Sequence, residues 1–246
     1  MKKAFLAFLH IVHSQPQLIA RRPGLETLTK LAVIGDYYEC GFLLAFFVSS
    51  WRDAFDLLDT DYDRNLIMGI WVSYFFQLQG AFTRCTKEAI EHSPRPTSSL
   101  GLPIPVTVIE ALNVRRNNAI QNVIDTVYDA VNNLYSGPIV CTRECDALLF
   151  ESLFMQMNDH GIHPAPQPPC HGIVYAEMMW MFESFECPPG EEVPHTIHYK
   201  ALDLMYDEPF PGLGGVVGYL RCAQLPDVWG NMNWDVRGLM LDDFLS

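Results

Sequence analysis

Cysteine and histidine gather between Cys141 and His171, where Cys141 and Cys145 form a C-x3-C pair followed by His160, His163, Cys170 and His171. Zn²⁺ takes four thiolate or imidazole ligands in a tetrahedron, and short spacings let one turn supply two of them. Cys141 and Cys145, four residues apart at the start of a helical pattern, share a face. The set lacks the two C-x2-C units that make a zinc signature specific. Thiols also behave as small hydrophobes and are among the most often buried side chains. Core packing is therefore the first reading, and a zinc-stabilised helical module an alternative. A weaker cluster joins Cys187 to His195 and His198.

Asp56, Asp59, Asp61 and Asp63 crowd like the start of a calcium loop. Such a loop needs Gly at its sixth position and a bidentate Glu at its twelfth. Counted from Asp59, those positions hold Arg64 and Ile70, so the run reads as an acidic, solvated turn. There is no G-x-S-x-G elbow, and Gly212-Leu-Gly-Gly215 lacks the preceding strand and following Lys of a phosphate loop. The stripe Trp71, Tyr74 and Phe75 reads as core. No catalytic, cofactor-binding or metal-ligating residue is assigned, and no cofactor is expected.

Composition sets the class. Of 246 residues, 49% are hydrophobic and 18% charged, as in a globular chain with a sizeable core. A formal net charge of −13, with Arg21–Arg22 and Arg115–Arg116 the visible basic pairs, argues against nucleic acid, whose phosphates need clustered Lys and Arg. The acidity suits solubility or a basic protein surface. Seven cysteines in no even framework point to reduced thiols in the cytoplasm or nucleus. The richest apolar run, Phe42 to Val48, is far too short for a membrane span. Met1-Lys2-Lys3 followed by AFLAFLHIV has the form of a signal peptide, with Val12-His13-Ser14 as its cleavage site. His10 interrupts that run, however, and the same residues make an amphipathic helix. A secreted helical protein with residues 1–14 removed is the second alternative.

The elements that must carry these residues are helical. Apolar spacing predicts helices over Ala4–His13, Glu26–Tyr38 and Phe42–Phe55, with Gly41 at the junction of the last two. Further helices are predicted over Asn65–Leu78 and Phe82–His92, separated at Gly80. Pro94–Pro105 is a linker whose Pro103-Ile104-Pro105 step starts a long helix over Thr107–Tyr135, stopped by Ser136-Gly137-Pro138. Cys141–His160, capped by Gly161, and Ile173–Phe185 follow. Residues 186–215 carry little signal for order, and Val216–Leu225 is a last helical candidate. Strand signals are weak, so the fold class is all-α, an irregular helical bundle.

The segment LETLTKLAVIGDYYECGFLLAFFVSSW, ending at Trp51, resembles the end of the BTB/POZ domain in a large group of fungal proteins, where a stretch like LTKLAVLxDKYxC leads into a helix ending in Trp. LGLPIPVTVIEALNVRRNNAIQNVIDTVYD, YSGPIVCTRECDALLFESL, the Gly161-Ile162-His163-Pro164 step, PQPPCHGIVYAEM and GLMLDDF extend the resemblance over most of the chain, while Phe182 to Pro211 fits it poorly. None of these is a catalytic motif. In that group the C-x2-E-C-D pattern of Cys141–Asp146 recurs in a helical tail, which implies a structural role for both cysteines. The resemblance implies remnant BTB helices over residues 1–55, a helical tail over 56–185, and a poorly ordered 186–246 with a short terminal helix. The strand-rich half of a BTB domain is missing, so dimerisation and cullin-type adaptor activity are not carried over. What it implies is a non-catalytic protein-protein interaction or scaffold module with a protein partner, no nucleic acid and no membrane. Without the sheet, Phe5, Phe8, Phe42, Phe46 and Phe47 are left partly uncovered, and they are the expected interaction surface.

Overall fold

The computed structural model describes residues 2–56, 62–139, 143–183, 185 and 236–245. Every regular element among them is helical, so the protein is all-α. The α-helices are α1 (Lys2–Val12), α2 (Leu25–Tyr37), α3 (Gly41–Asp56), α4 (Arg64–Phe75), α5 (Gln79–His92), α6 (Val106–Ser136), α7 (Arg143–Asp159) and α8 (Tyr175–Glu183). Single 3₁₀ turns cover Pro16–Leu18 and Leu241–Phe244.

Helix ends follow local chemistry. The aspartate run ends in Asp63, whose carboxylate accepts from the backbone N–H groups of Asn65 (2.6 Å) and Leu66 (3.1 Å). Asp63 is thus the N-cap of α4, satisfying two donors that the first turn leaves orphaned. The break between α4 and α5 falls at Gln77 and not at Gly80, which lies inside α5. Gln77 is left-handed at φ 54°, Leu78 N–H donates to Ser73 C=O at 2.9 Å, and Gln77 N–H donates to Tyr74 C=O at 3.1 Å. This is a Schellman ending. The same pattern closes α1 at Ser14, α2 at Glu39 and α7 at Gly161. Of these four positions only 161 holds the expected glycine.

Two compact units divide the described residues. The first comprises the chain through Arg116 together with residues 236–245, and the second runs from Asn117. This differs from a boundary near residue 55, because α2 packs on both α1 and α4, and α4 on α5. The core of the first unit runs from Phe8 and Ile11 through Leu28, Leu31 and Leu44 to Ile70, Trp71, Phe82 and Ile90. Trp51, fully buried in the second half of α3, donates from Nε1 to the Ala20 carbonyl at 3.2 Å, tying that helix to the loop after α1. The stripe Trp71, Tyr74 and Phe75 is packed as expected: Trp71 lies against both neighbours, and Tyr74 against Phe82. Residues 236–245 belong to this core as well, since Leu239 and Leu241 are buried. In the second unit the apolar stripe of α6 (Ile120, Val123, Ile124, Val127) is buried, as are Leu149, Leu153 and Met157 of α7 and Met178 and Phe182 of α8. The helical candidate Val216–Leu225 and the cluster Cys187, His195, His198 lie outside the described residues.

Candidate functional site

Exposed aromatic residues of the first unit gather at two helix ends. Phe42 and Phe46 stand four residues apart on α3, hence on one face, and are 74% and 80% exposed. Phe46 meets Phe47 edge-on, and Phe47 stacks on buried Trp51, so the exposed ring rests on one anchored in the core. At the end of α2, Tyr37 and Tyr38 are exposed and set edge-to-face at 5.0 Å. Tyr38 stacks on Phe8 of α1, which in turn contacts Phe5, exposed beside Leu6. A surface helix ordinarily turns such residues inward. Here they extend beyond the core stripe.

Of the five phenylalanines expected at the surface, Phe5, Phe42 and Phe46 are exposed and Phe47 is half-buried. Phe8 is a correction: at 7% exposure it is a core residue, because α1 packs directly on α2 and needs no sheet to cover that ring. Tyr37 and Tyr38 were missed. Helical spacing holds the signal for Tyr37, which falls opposite the face that carries Leu28, Leu31 and Ala32, but not for Tyr38, the C-cap of α2, which stands seven residues after Leu31 and in line with it.

The charge beside the two tyrosines is acidic. Asp36 and Glu39, both exposed, bracket the two tyrosines. Lys30 donates to Glu26 at 2.9 Å, and that bond holds the Glu26 carboxyl below its ordinary range. Cys40, next to Glu39, is a free thiol pushed up by burial.

The cysteine–histidine cluster is not assembled among the described residues. Cys141 and the side chain of Cys145 lie outside them, and Cys170 is buried. His160 stacks on Phe185, while His163 packs between Tyr128 and Phe154, its Nδ1 3.1 Å from the Tyr128 hydroxyl. Tyr128 O–H donates to Ile162 C=O at 2.9 Å, and burial raises its pKa. These rings are doing packing work. Among the described residues one trio has metal-ligating atoms within reach of each other, Glu88, Glu91 and His92 of α5. It is a solvated face: Lys87 pairs with Glu91 at 3.8 Å, and His92 lies 3.4 Å from Glu88.

A cleft of about 420 Å³ in the second unit is lined mainly by apolar groups, including Ile124, Ile162, Ile173, Met178, Trp180 and Met181. His160 and Glu177 are the titratable members of its lining. No described helix is long and apolar enough to cross a membrane. No family model, curated protein or solved structure matches the chain.

Proposed function

We propose that this chain is a non-catalytic protein-protein interaction module, and that its contact surface is the aromatic face formed by α3 and the end of α2. The observation that carries this reading is the exposure of Phe42, Phe46, Tyr37 and Tyr38 on helices whose opposite faces are core. Aromatic side chains supply much of the energy at protein interfaces, and clustered exposed apolar surface marks a contact site. The resemblance of the α2–α3 segment to fungal BTB/POZ proteins supports the same class. Asp36 and Glu39 give the face an acidic rim. The partner that fits is therefore a protein with an apolar patch bordered by Lys or Arg.

A photo-crosslinking amino acid placed at position 46 tests the proposal in native cells. The expected result is a discrete protein adduct, absent when the same group replaces Tyr135, an equally exposed aromatic residue of the second unit. Adducts indistinguishable between the two positions would show that the α3 face is ordinary surface.

A further inference from the structure

Residues 236–245 lie along α4, α5 and the start of α6 as a peptide lies in a receptor. The backbone of this segment is extended at Met240 (φ −88°, ψ 129°) and closes in the 3₁₀ turn Leu241–Phe244, with Leu239 and Leu241 buried and Met240 exposed. It is held chiefly through its main chain. Leu239 N–H donates to Thr86 Oγ1 at 2.8 Å, and Thr83 Oγ1 donates to Leu239 C=O at 3.0 Å. Leu241 N–H donates to Gln79 Oε1 at 2.8 Å. Arg115 Nη1 donates to the carbonyls of Arg237 (3.2 Å) and Gly238 (2.9 Å), and Tyr74 O–H donates to Phe244 C=O at 3.3 Å.

The α5 groups that make these bonds are also held by hydrogen bonds within α5 itself. Gln79, Thr83 and Thr86 follow one another at helical spacing on one face of α5. The Gln79 amide N–H donates to Thr83 Oγ1 at 2.9 Å, which leaves the Thr83 proton for Leu239. Thr86, fully buried, donates to Phe82 C=O at 2.7 Å, which leaves its lone pair for the Leu239 N–H. Side-chain specificity comes from four positions. A Cβ at 238 would run into the Thr83 carbonyl, so only Gly fits there. Leu239 and Leu241 enter the core, and the Phe244 ring meets Phe82. None of these contacts needs covalent continuity with the rest of the chain.

We infer that this face is a linear-peptide binding site that reads a Gly-Leu-x-Leu-x-x-Phe segment, extended through Met240 and closed by one 3₁₀ turn over Leu241–Phe244, and that residues 236–245 are its resident ligand in cis. A free peptide of that sequence exchanges with the resident segment, and a protein carrying the pattern enters by displacing it. This site is separate from the aromatic face of α3 and does not depend on its role.

The full chain with a protease recognition sequence inserted between residues 210 and 211 tests the inference. After cleavage, the fragment carrying 236–245 should co-elute with the body in gel filtration, and excess synthetic peptide Val236–Leu245 should release it. A labelled form of that peptide should then bind the stripped body and bind the Thr86→Val body roughly tenfold more weakly, as expected for a lost buried hydrogen bond. The Gly238→Ala peptide, which leaves the protein untouched, should neither bind nor displace. Loss of the fragment on cleavage with no binding of the wild-type peptide would overturn the inference, as would equal displacement by the Gly238→Ala peptide.

Discussion

Phe8 and Phe46 are the same residue type on neighbouring helices, and they should answer opposite ways to truncation. Fully burying a Phe side chain is worth about 1.5–3 kcal/mol. At 7% exposure Phe8 keeps nearly all of that, and removing its ring from contact with Tyr38 and Phe5 also leaves a void. Phe8→Ala should therefore cost about 3 kcal/mol, toward the low end of Phe-to-Ala changes. At 80% exposure Phe46 retains about one fifth of the burial term, or about 0.3–0.6 kcal/mol. Ser and Phe have similar helix propensity, so Phe46→Ser adds no backbone penalty. Urea unfolding followed by the fluorescence of buried Trp51 and Trp71 reads both variants. With a urea slope of about 1–3 kcal/mol per molar, Phe8→Ala should lower the midpoint by about 1–3 M and Phe46→Ser by less than about 0.6 M. A Phe46→Ser loss as large as that of Phe8→Ala would mean that the ring is held in the core, and the surface assignment would fail.

Three further outcomes follow from the helix ends and the buried thiol. Burial pushes Cys85 from its ordinary value near 9 up to about 11. The folded state then holds a proton that the unfolded state loses, so its contribution is intact below about pH 9 and disappears between about pH 9 and 11. The loss is about 3 kcal/mol (two pH units at about 1.4 kcal/mol each), and Cys85→Ala should remove it from the alkaline limb of the stability–pH curve. Asp63→Ala removes the acceptor for two N–H groups of α4 and should cost about 1 kcal/mol by thermal or urea unfolding, whereas Asp63→Ser, which still caps, should cost a few tenths. Gln77→Gly relieves a left-handed L-residue at an exposed position and should stabilise by about 1 kcal/mol; destabilisation in urea would show that the Gln77 side chain has a role the backbone geometry does not reveal.

Periodicity made most of the helices legible. The stripes that begin at Leu28 and Val108 turned out to be core, and the predicted spans lie within a few residues of the observed α2 and α6. Breaks were legible where Gly or Pro marks them, as at Gly161 and Pro105, and misplaced where hydrogen bonding alone ends the helix. At Gln77 the 73–78 bond overrides a side chain that ordinarily avoids positive φ, while Gly80, free of such bonds, stays helical. The exposure of the aromatic residues was legible in part for a related reason. Phe42 and Phe46 lie off the core face of their helix, but whether Phe8 is covered depends on how α1 packs against α2, which is a tertiary fact. The placement of Leu239 and Leu241 against α5 was not legible at all. GLMLDDF has neither helical nor alternating spacing long enough to show a partner, and its receptor lies more than a hundred residues earlier in the chain.

The most direct test of the interaction role is affinity purification of the tagged chain from its native cells, run beside the Phe42→Ser/Phe46→Ser double variant after its unfolding midpoint has been shown to match wild type. A protein should co-purify in stoichiometric amount with wild type and be lost from the variant. Removing most of two exposed rings from an interface should weaken it roughly thirtyfold or more. Equal recovery of the same proteins by both chains would contradict that role.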